Sequence, residues 1–574
     1  IDTWAMVNPG NPSRAAKMAR EAAVVSHDGI AVEAAVFLAA MEAMAFDEKN
    51  LDTLLREGRQ FIADNESGRM LNALLDDIIR VCDENDDWRT VRDWIEKHHS
   101  YARYRGNCPM VTNHLALIMA LKFGGDDFRK SISIATSAGW DTDCNAGNAG
   151  CLQAIRLGLD AIDADADLRR PVADRMFVVS TDGGDCVFDA VQESRKILKA
   201  AAVLNREDPG ALGIPHEKFA FEYRGSTQGF LIHPDRSFMQ AVQSLENHRG
   251  ADEKSGAPRD PGLIIRYRGV SGSITGSVSV QTYVDPSPRA AAGTSYFEVY
   301  ASPSLYSTQT VQAVFTSEQD LNPDVRFFID YYDHKDEIAT IKSERRYGIQ
   351  KGETRVEWEI PQTNGRAIYR FGLELVADRR CDGELCLKTL DWKGSPRFFH
   401  LGTAKELSPD INPFVTRTKW MMAFMSSAKH TGPDYLATLA ISHPEDNGLV
   451  TIGSREWDNY TVSSRIQFVH AAYAGLVARS KGHRRYYAAV FTDGAMRIIR
   501  RCGARVDTLA SSDTTYHEGD WHDVAFEVRG TRLIMYVDGR EVCSGTDESY
   551  SSGGAGFVVG EGAIVANGFT VAGQ

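Results

Sequence analysis

Two carboxylate side chains, Asp141 and Asp143, stand one residue apart in residues 139–145, whose sequence is Gly-Trp-Asp-Thr-Asp-Cys-Asn. This segment falls between two stretches of helical periodicity, so we predict a loop that leads into a helix beginning at about Asp143. A carboxylate at that place can cap the free backbone N–H groups of the helix. The two carboxylates together can instead present hard oxygen atoms to Mg²⁺. Spacing alone favours the cap, because an isolated Asp-x-Asp pair supplies too few ligands for a metal site.

Helices must position this loop, since residues 1 to about 205 show helical periodicity and no strand-like alternation. Asn11-Pro12 is a suitable helix start, and Gly124-Gly125 is a suitable helix end. Small apolar residues on these helices allow close packing in a compact bundle. The clearest predicted helices cover residues 13–25, 29–46, 67–84, 87–99, 112–123 and 126–137.

The pattern changes after residue 205. Residues 206–262 are rich in Gly, Pro and charge and are predicted to be a linker region, with residues 250–262 as its clearest part. Alternation typical of strands follows at residues 277–284, 296–300 and 355–360, and Asn364-Gly365 indicates a hairpin.

A second β block begins near residue 398, and its clearest part is a predicted hairpin formed by residues 521–528 and 533–537. Strands joined by short turns at even spacing are typical of antiparallel sandwiches. We therefore predict a multidomain α plus β chain, with a helical domain at 1–205 and two β-sandwich domains at 263–397 and 398–574.

Composition excludes several classes of protein. A chain of 574 residues suggests roughly three or four domains. The formal net charge of −14 argues against a general nucleic-acid binder, which needs basic residues to release counterions. No apolar run is long enough for a membrane helix, so we expect neither a nucleic acid nor a membrane as partner.

Nine cysteines are present, without the spacing of a metal array. Cys381 and Cys386 are close enough in sequence to pair, and Cys502 and Cys543 lie in β-rich sequence where a bridge is feasible. Buried free thiols are the favoured interpretation. Cysteine usage leaves both a cytoplasmic and a secreted location open.

The surroundings of the Asp-x-Asp pair resemble the ADP-ribosylglycohydrolase family, which includes the dinitrogenase-reductase-activating glycohydrolases. The resemblance rests on Asn113-His114-Leu115, on residues 128–135, on residues 139–145 and on the small residues 147–150. Upstream, residues 26–29 (Ser-His-Asp-Gly) are similar to the Ser/Thr-His element of the family, and residues 8–22 resemble the segment before it in a divergent subgroup. The resemblance covers roughly residues 1–205.

The resemblance implies that Asp141 and Asp143 bind the metal, Mg²⁺ with Mn²⁺ as the alternative. The family has Thr after the second Asp, whereas this chain has Cys144. A soft thiol is a poor ligand for hard Mg²⁺, so this metal position is expected to be altered or Cys144 to turn away.

His27 and Asp28 are implied to line the substrate pocket, with Asp28 as a candidate acid or base in glycosidic hydrolysis. A histidine packed between helices is the structural alternative for His27. Asp182, in the turn-forming sequence at 181–185, is a further candidate for the pocket, although turn chemistry explains it equally well.

The family's other metal ligands come from a Thr-Asp-Asp motif, and an early glutamate activates the attacking water. Neither is found at a suitable place in this chain, and Asp2 cannot replace three ligands. We therefore expect a preceding segment of the same protein to supply them.

Residues 398–574 resemble the concanavalin-like and laminin-G-like sandwiches, on residues 455–462 and 521–539. The resemblance implies either glycan binding or a packing module. Three functions stay open: a hydrolase of ADP-ribosyl or related N- or O-glycosidic bonds, a carbohydrate-active glycosidase on the same fold, and an inactive ligand-binding protein.

Overall fold

The chain divides into two compact units in a computed structural model. The first unit comprises Ile1–Pro171 and Glu193–Ile214, and the second comprises Val172–Gln192 and Pro215–Gln574. The predicted order of a helical part followed by antiparallel β-structure is confirmed. The arrangement as two sandwiches stays a prediction. The structure describes residues 1–104, 106–163, 168–178, 180, 182–233, 240–247, 261–284, 301–402, 425–426, 428–431 and 439–574.

The predicted helices are all present, with ends close to the predicted ones, and further helices are added, of which the one at Ala190–Asn205 follows all of them. None of the described helices is long and apolar enough to cross a bilayer. The helices are α1 (Asp2–Met6), α2 (Pro12–Ala23), α3 (Ile30–Met44), α4 (Leu51–Gly58), α5 (Glu66–Asp83), α6 (Trp88–His99), α7 (Met110–Gly124), α8 (Phe128–Ser137), α9 (Thr142–Leu157), α10 (Leu159–Asp163) and α11 (Ala190–Asn205).

Local sequence signals set several helix ends. The Asn11 side chain accepts a hydrogen bond from the Arg14 N–H at 3.1 Å, and α2 begins with a proline. The Asp127 side chain accepts one from the Lys130 N–H at 2.8 Å, which caps α8. Gly125 ends α7 with φ of 60°, a conformation that glycine adopts without strain. The predicted start of α2 and end of α7 are therefore confirmed.

Helices α3 and α7 form the centre of the first unit, since most side chains on both are buried. Phe37 and Met41 of α3 and Ile118 of α7 are fully buried in one apolar cluster. Residues of α9, such as Leu152, belong to the same cluster. The helix that follows the Asp-x-Asp loop is thus fixed by the core of the unit.

In its described residues, the second unit contains antiparallel strands in four sheets. Strands β1 and β2 pair alone. Two sheets have five strands each, in the orders β10-β7-β12-β5-β4 and β3-β6-β11-β8-β9. The largest sheet contains the path β14-β17-β25-β18-β19-β20-β21, to which β13, β15, β16 and β22–β24 add. The strands are β1 (Arg175–Phe177), β2 (Val187–Asp189), β3 (Leu231–Ile232), β4 (Val242–Glu246), β5 (Leu263–Val270), β6 (Gly276–Gln281), β7 (Thr310–Ser317), β8 (Asp324–Tyr332), β9 (Ile338–Lys342), β10 (Gly352–Glu359), β11 (Ile368–Val376), β12 (Cys381–Asp391), β13 (Phe399–Leu401), β14 (Met425–Ser426), β15 (Lys429–Thr431), β16 (Leu439–His443), β17 (Gly448–Ile452), β18 (Tyr460–Ser480), β19 (Arg485–Thr492), β20 (Ala495–Cys502), β21 (Arg505–Ser512), β22 (Trp521–Arg529), β23 (Arg532–Val537), β24 (Arg540–Thr546) and β25 (Gly554–Gly573).

Apolar side chains from both five-stranded sheets share one buried cluster. Ile265 and Phe315 come from one sheet, and Val278 and Phe371 come from the other. Inward apolar residues at alternate positions along the strands account for this shared cluster. Strand β22 pairs with β23 in antiparallel register, so the predicted hairpin at 521–537 is confirmed.

Two predicted features differ from the structure. Residues 172–192, expected within the helical domain, contain β1 and β2 and group with the second unit. Residues 206–262, expected to be a linker, contain β3 and β4, which pair with β6 and β5. The clearest part of that linker lies outside the described residues at 250–260, as does the predicted strand at 296–300.

The Asn364-Gly365 hairpin prediction is wrong. Both residues have the positive φ values that such a turn needs, 55° and 78°. However, β10 pairs with β7 in one sheet, while β11 pairs with β6 and β8 in the other. The turn therefore carries the chain between sheets, because strand pairing is decided by distant partners.

None of the nine cysteines, all of which the structure describes, forms a disulfide, which confirms that part of the favoured interpretation; four of them, Cys82, Cys186, Cys381 and Cys543, are buried. Cys381 and Cys386 lie on one strand, β12, and do not pair. Cys502 is exposed at the end of β20, and Cys543 is buried on β24, so the second predicted pair is absent as well.

The buried imidazole of His114 makes stability depend on pH. His114 is 7% exposed, no described residue hydrogen-bonds its Nε2, and burial lowers its pKa to about 4. In the unfolded chain the imidazole binds a proton near pH 6.5, whereas in the folded chain it stays neutral until the pH approaches 4. The free energy of unfolding therefore decreases as the pH falls from 7.5 towards 4. We predict that His114 alone lowers the free energy of unfolding by about 2 kcal/mol between pH 7.5 and pH 5.

The measurement is urea unfolding of the wild type and of His114→Leu at both pH values. The wild type should lose about 2 kcal/mol more than the variant. Equal losses in the two proteins would show that His114 accepts a proton in the folded state.

Candidate functional site

The loop before α9 is held in one conformation by contacts with α6 and α9. Arg92 of α6 stacks over the Trp140 ring at 4.4 Å, and its Nε donates to the Ala138 carbonyl at 3.1 Å. The Asn145 side chain donates to the Trp140 carbonyl at 2.8 Å. These contacts hold the backbone that leads into Asp141.

Asp141 occupies the N-cap position of α9 but does not cap it. Its backbone is left-handed, with φ of 44° and ψ of 51°, and its side chain accepts no capping hydrogen bond. A non-glycine residue in this region costs about 1–3 kcal/mol and persists only where surrounding contacts impose it. The helix-cap hypothesis is therefore wrong for Asp141. Asp143 lies in the first turn, where its charge favours the helix dipole.

Two successive hydrogen bonds, from Tyr101 to Asn113 and from Asn113 to Asp141, hold the Asp141 carboxylate. Asn113 of α7 donates from Nδ2 to Asp141 Oδ2 at 3.1 Å. The Tyr101 hydroxyl donates to Asn113 Oδ1 at 2.6 Å, which fixes the amide orientation. Burial raises the pKa of Tyr101 to about 12, so the hydroxyl keeps its proton at neutral pH.

Sequence reasoning quoted Asn113 only as part of a family motif and missed Tyr101. The one available signal for Asn113 was an amide at the start of an otherwise apolar helix. Tyr101 follows α6 without any periodic pattern, so nothing in the sequence marked it.

Three potential ligands meet at the start of α9. One carboxylate oxygen each of Asp141 and Asp143 and the Cys144 sulfur all lie within 4.8 Å of one another. Burial and the adjacent Asp141 carboxylate raise the pKa of the Cys144 thiol. The two carboxylates fit a hard ion such as Mg²⁺, whereas a protonated thiol does not.

His27 and Asp28 lie in the loop between α2 and α3, and both are exposed. His27 Nδ1 and the Ser26 hydroxyl are 2.8 Å apart, and Asp28 Oδ1 accepts from the Gly29 N–H at 2.7 Å. Within the described part of the chain, no hydrogen bond or ion pair joins either residue to Asp141 or Asp143. Their role in catalysis stays a prediction.

Asp182 belongs to the second unit, where it has structural partners. Arg455 donates from Nε to Asp182 Oδ2 at 2.7 Å and contacts Asp185 at 2.9 Å. Asp182 Oδ1 also accepts from the Gly184 N–H at 3.2 Å. The turn interpretation of this sequence is therefore the one that the structure supports.

Comparison with known protein families confirms both resemblances. Residues 3–199 match the family model of ADP-ribosylglycohydrolases, and this match supports a glycosyl hydrolase. Residues 444–571 match the model of the concanavalin A-like lectin/glucanases superfamily. No curated protein matches the chain.

Several solved structures are distantly similar to parts of the chain. The carbohydrate-binding module CBM66 from Bacillus subtilis is 17% identical, with 25% of this chain and 91% of that chain covered and a TM-score of 0.23. Domain 4 of AbnA, a GH43 extracellular arabinanase from Geobacillus stearothermophilus in complex with arabinotriose, is 14% identical, with coverage of 26% and 76% and a TM-score of 0.20. A galectin from Caenorhabditis elegans is 14% identical, with coverage of 20% and 83% and a TM-score of 0.18. We draw no functional conclusion from likeness this distant.

Because Asp141 has a left-handed backbone and makes no capping bond, we predict that glycine at the N-cap of α9 and glycine at the N-cap of α8 change the stability of the protein in opposite directions. Asp141→Gly should stabilise the protein by up to about 1 kcal/mol, because relief of the left-handed backbone exceeds the combined cost of losing the Asn113 hydrogen bond and of the freedom that the unfolded chain gains. Asp127→Gly should destabilise it by roughly 0.5–1 kcal/mol, because a capping bond is lost and the unfolded chain gains freedom. Urea unfolding of both variants is the measurement. A loss of stability in Asp141→Gly matching that in Asp127→Gly would restore the cap hypothesis.

Proposed function

We propose that the first unit hydrolyses an ADP-ribosyl or closely related N- or O-glycosidic bond, and that Asp141 and Asp143 bind a divalent metal ion, Mg²⁺ or Mn²⁺. The observation that carries the proposal is Asp141, whose strained backbone withholds its carboxylate from the helix and places it beside that of Asp143. Strain of this kind is concentrated at functional sites. The family match at residues 3–199 spans both carboxylates.

The side chains around Asp141 orient its carboxylate. Asn113 donates to one carboxylate oxygen, Tyr101 fixes Asn113, and the other oxygen stays available to a ligand. When bound, a divalent ion would polarise a substrate oxygen and water. Two carboxylates fill a minority of the octahedral positions that Mg²⁺ demands, so this pair alone should bind weakly.

His27 and Asp28 are the proposed substrate-facing groups. Both are exposed, so a substrate can reach the imidazole and the free Oδ2 of Asp28. The proposed role of Asp28 is proton transfer at the leaving group or the attacking water. The proposed role of His27 is a hydrogen bond to a sugar hydroxyl.

A carbohydrate-active glycosidase on the same fold is the second candidate. The match of residues 444–571 to a lectin and glucanase superfamily favours it, because lectin-like domains hold saccharides near a catalytic domain. The third candidate, an inactive ligand-binding protein, draws on Cys144 in place of the family's Thr.

The test compares two aspartates at the same helical position. Asp143 is the second residue of α9, and Asp52 is the second residue of α4. Asp143→Ala should lower Mg²⁺-dependent hydrolysis roughly a hundredfold or more, because a ligand is lost. Asp52→Ala should leave hydrolysis unchanged, and both variants should keep nearly the same melting temperature.

Release of ADP-ribose from ADP-ribosylated peptides and of nitrophenol from aryl glycosides should be measured with Mg²⁺, with Mn²⁺ and with chelator. Cleavage of the peptides alone supports the first candidate, and cleavage of the glycosides alone supports the second. Binding of ADP-ribose without any turnover supports the third. Full metal-dependent activity in Asp143→Ala would contradict the ligand assignment.

A further inference from the structure

A second group of potential ligands lies in the first unit, apart from Asp141 and Asp143. It consists of Asp2 of α1, Glu42 of α3 and Cys151 of α9. Two carboxylate oxygens and one sulfur, one atom from each residue, lie within 4.8 Å of one another. The three residues come from distant parts of the sequence, so only the fold brings them together.

The buried carboxylate of Glu42 is the strongest sign that this group binds a ligand. Its side chain is completely buried near the C-terminal end of α3, a helix whose other charged residue, Glu33, is paired with Arg20. Neither carboxylate oxygen meets the geometry of a hydrogen bond with any described residue, and the side chains that interact with this carboxylate are those of Asp2 and Cys151. A buried carboxylate without partners is strongly disfavoured, so it must be protonated or be neutralised by a cation.

One face of α9 organises this group. Asn148 donates from Nδ2 to Asp2 Oδ1 at 2.8 Å, which holds the Asp2 carboxylate near the helix. Cys151 follows Asn148 by three residues and therefore lies on the same face. Cys144 lies two turns earlier on that face, roughly 10 Å away along the axis. The two ligand groups are therefore separate sites on one helix.

We propose that Asp2, Glu42 and Cys151 bind a second divalent ion, of the zinc type rather than the magnesium type. A thiolate is a soft ligand that favours Zn²⁺ or Co²⁺ over Mg²⁺. Three protein ligands leave one tetrahedral position for water. Binding releases the thiol proton of Cys151 and any proton on Glu42 to solvent. The ion would tie α1 to α3 and α9.

The test is titration with Co²⁺ and Zn²⁺ of a protein whose first site has been disabled by Asp141→Asn and Asp143→Asn. Co²⁺ reports a sulfur ligand through a near-ultraviolet charge-transfer band. We expect one Co²⁺ per chain with this band, displaced by one Zn²⁺ and not by excess Mg²⁺. Zn²⁺ should also raise the melting temperature.

Matched variants assign the ligands. Cys151→Ser should abolish the charge-transfer band, whereas Cys144→Ser on the same helix face should keep it. Glu42→Gln, which retains size and removes charge, should weaken Zn²⁺ binding at least tenfold. Since the readout is binding and not hydrolysis, the result is independent of the proposed function.

The proposal is overturned if the chain binds no Zn²⁺ at micromolar concentrations. It is equally overturned if the band survives Cys151→Ser or if Glu42→Gln leaves the affinity unchanged. A lack of Zn²⁺ binding would mean that Glu42 is kept neutral as a protonated acid beside Asp2, and a band that survives Cys151→Ser would mean that another cysteine binds the ion.

Discussion

The carboxylate of Asp141 is withheld from the helix that it precedes, and the rest of the candidate site depends on that constraint. A relaxed backbone at this residue would turn the side chain onto the N–H groups of α9, as Asp127 does at α8. The stacking of Arg92 on Trp140 and the hydrogen bond from Asn145 to Trp140 prevent this. The backbone of Asp141 is therefore strained, and its carboxylate is oriented without being bound to the helix.

Helix α9 carries this arrangement because it is packed into the apolar centre formed by α3 and α7. Its N-terminus presents Asp141 and Asp143, and its exposed Cys144 sits where the related family has Thr. Two turns later the same face presents Cys151 to Glu42 and Asp2. A helix fixed by its core can hold ligand groups at both places, since side chains on a rigid element keep their positions.

Much of the fold could be predicted, because periodicity and local end signals act over short distances. The α2 cap at Asn11 and the stop at Gly125 are of this kind. The turn chemistry at Asn364-Gly365 was also correct, but the pairing of its strands depends on residues far along the chain. The αL backbone of Asp141 and the role of Tyr101 arise from tertiary contacts that no spacing encodes. Glu42 was missed because a helix buried on all sides has no polar face against which one glutamate stands out.

Diffraction from crystals of the protein soaked with Mn²⁺ tests the central claim most directly, because the anomalous signal locates the ion. The account predicts an anomalous peak about 2 Å from one carboxylate oxygen of Asp141 and one of Asp143, with the backbone of Asp141 still in the left-handed conformation. A saturating Mn²⁺ soak that gives no peak there, with the Asp141 carboxylate hydrogen-bonded to the first turn of α9, would contradict it.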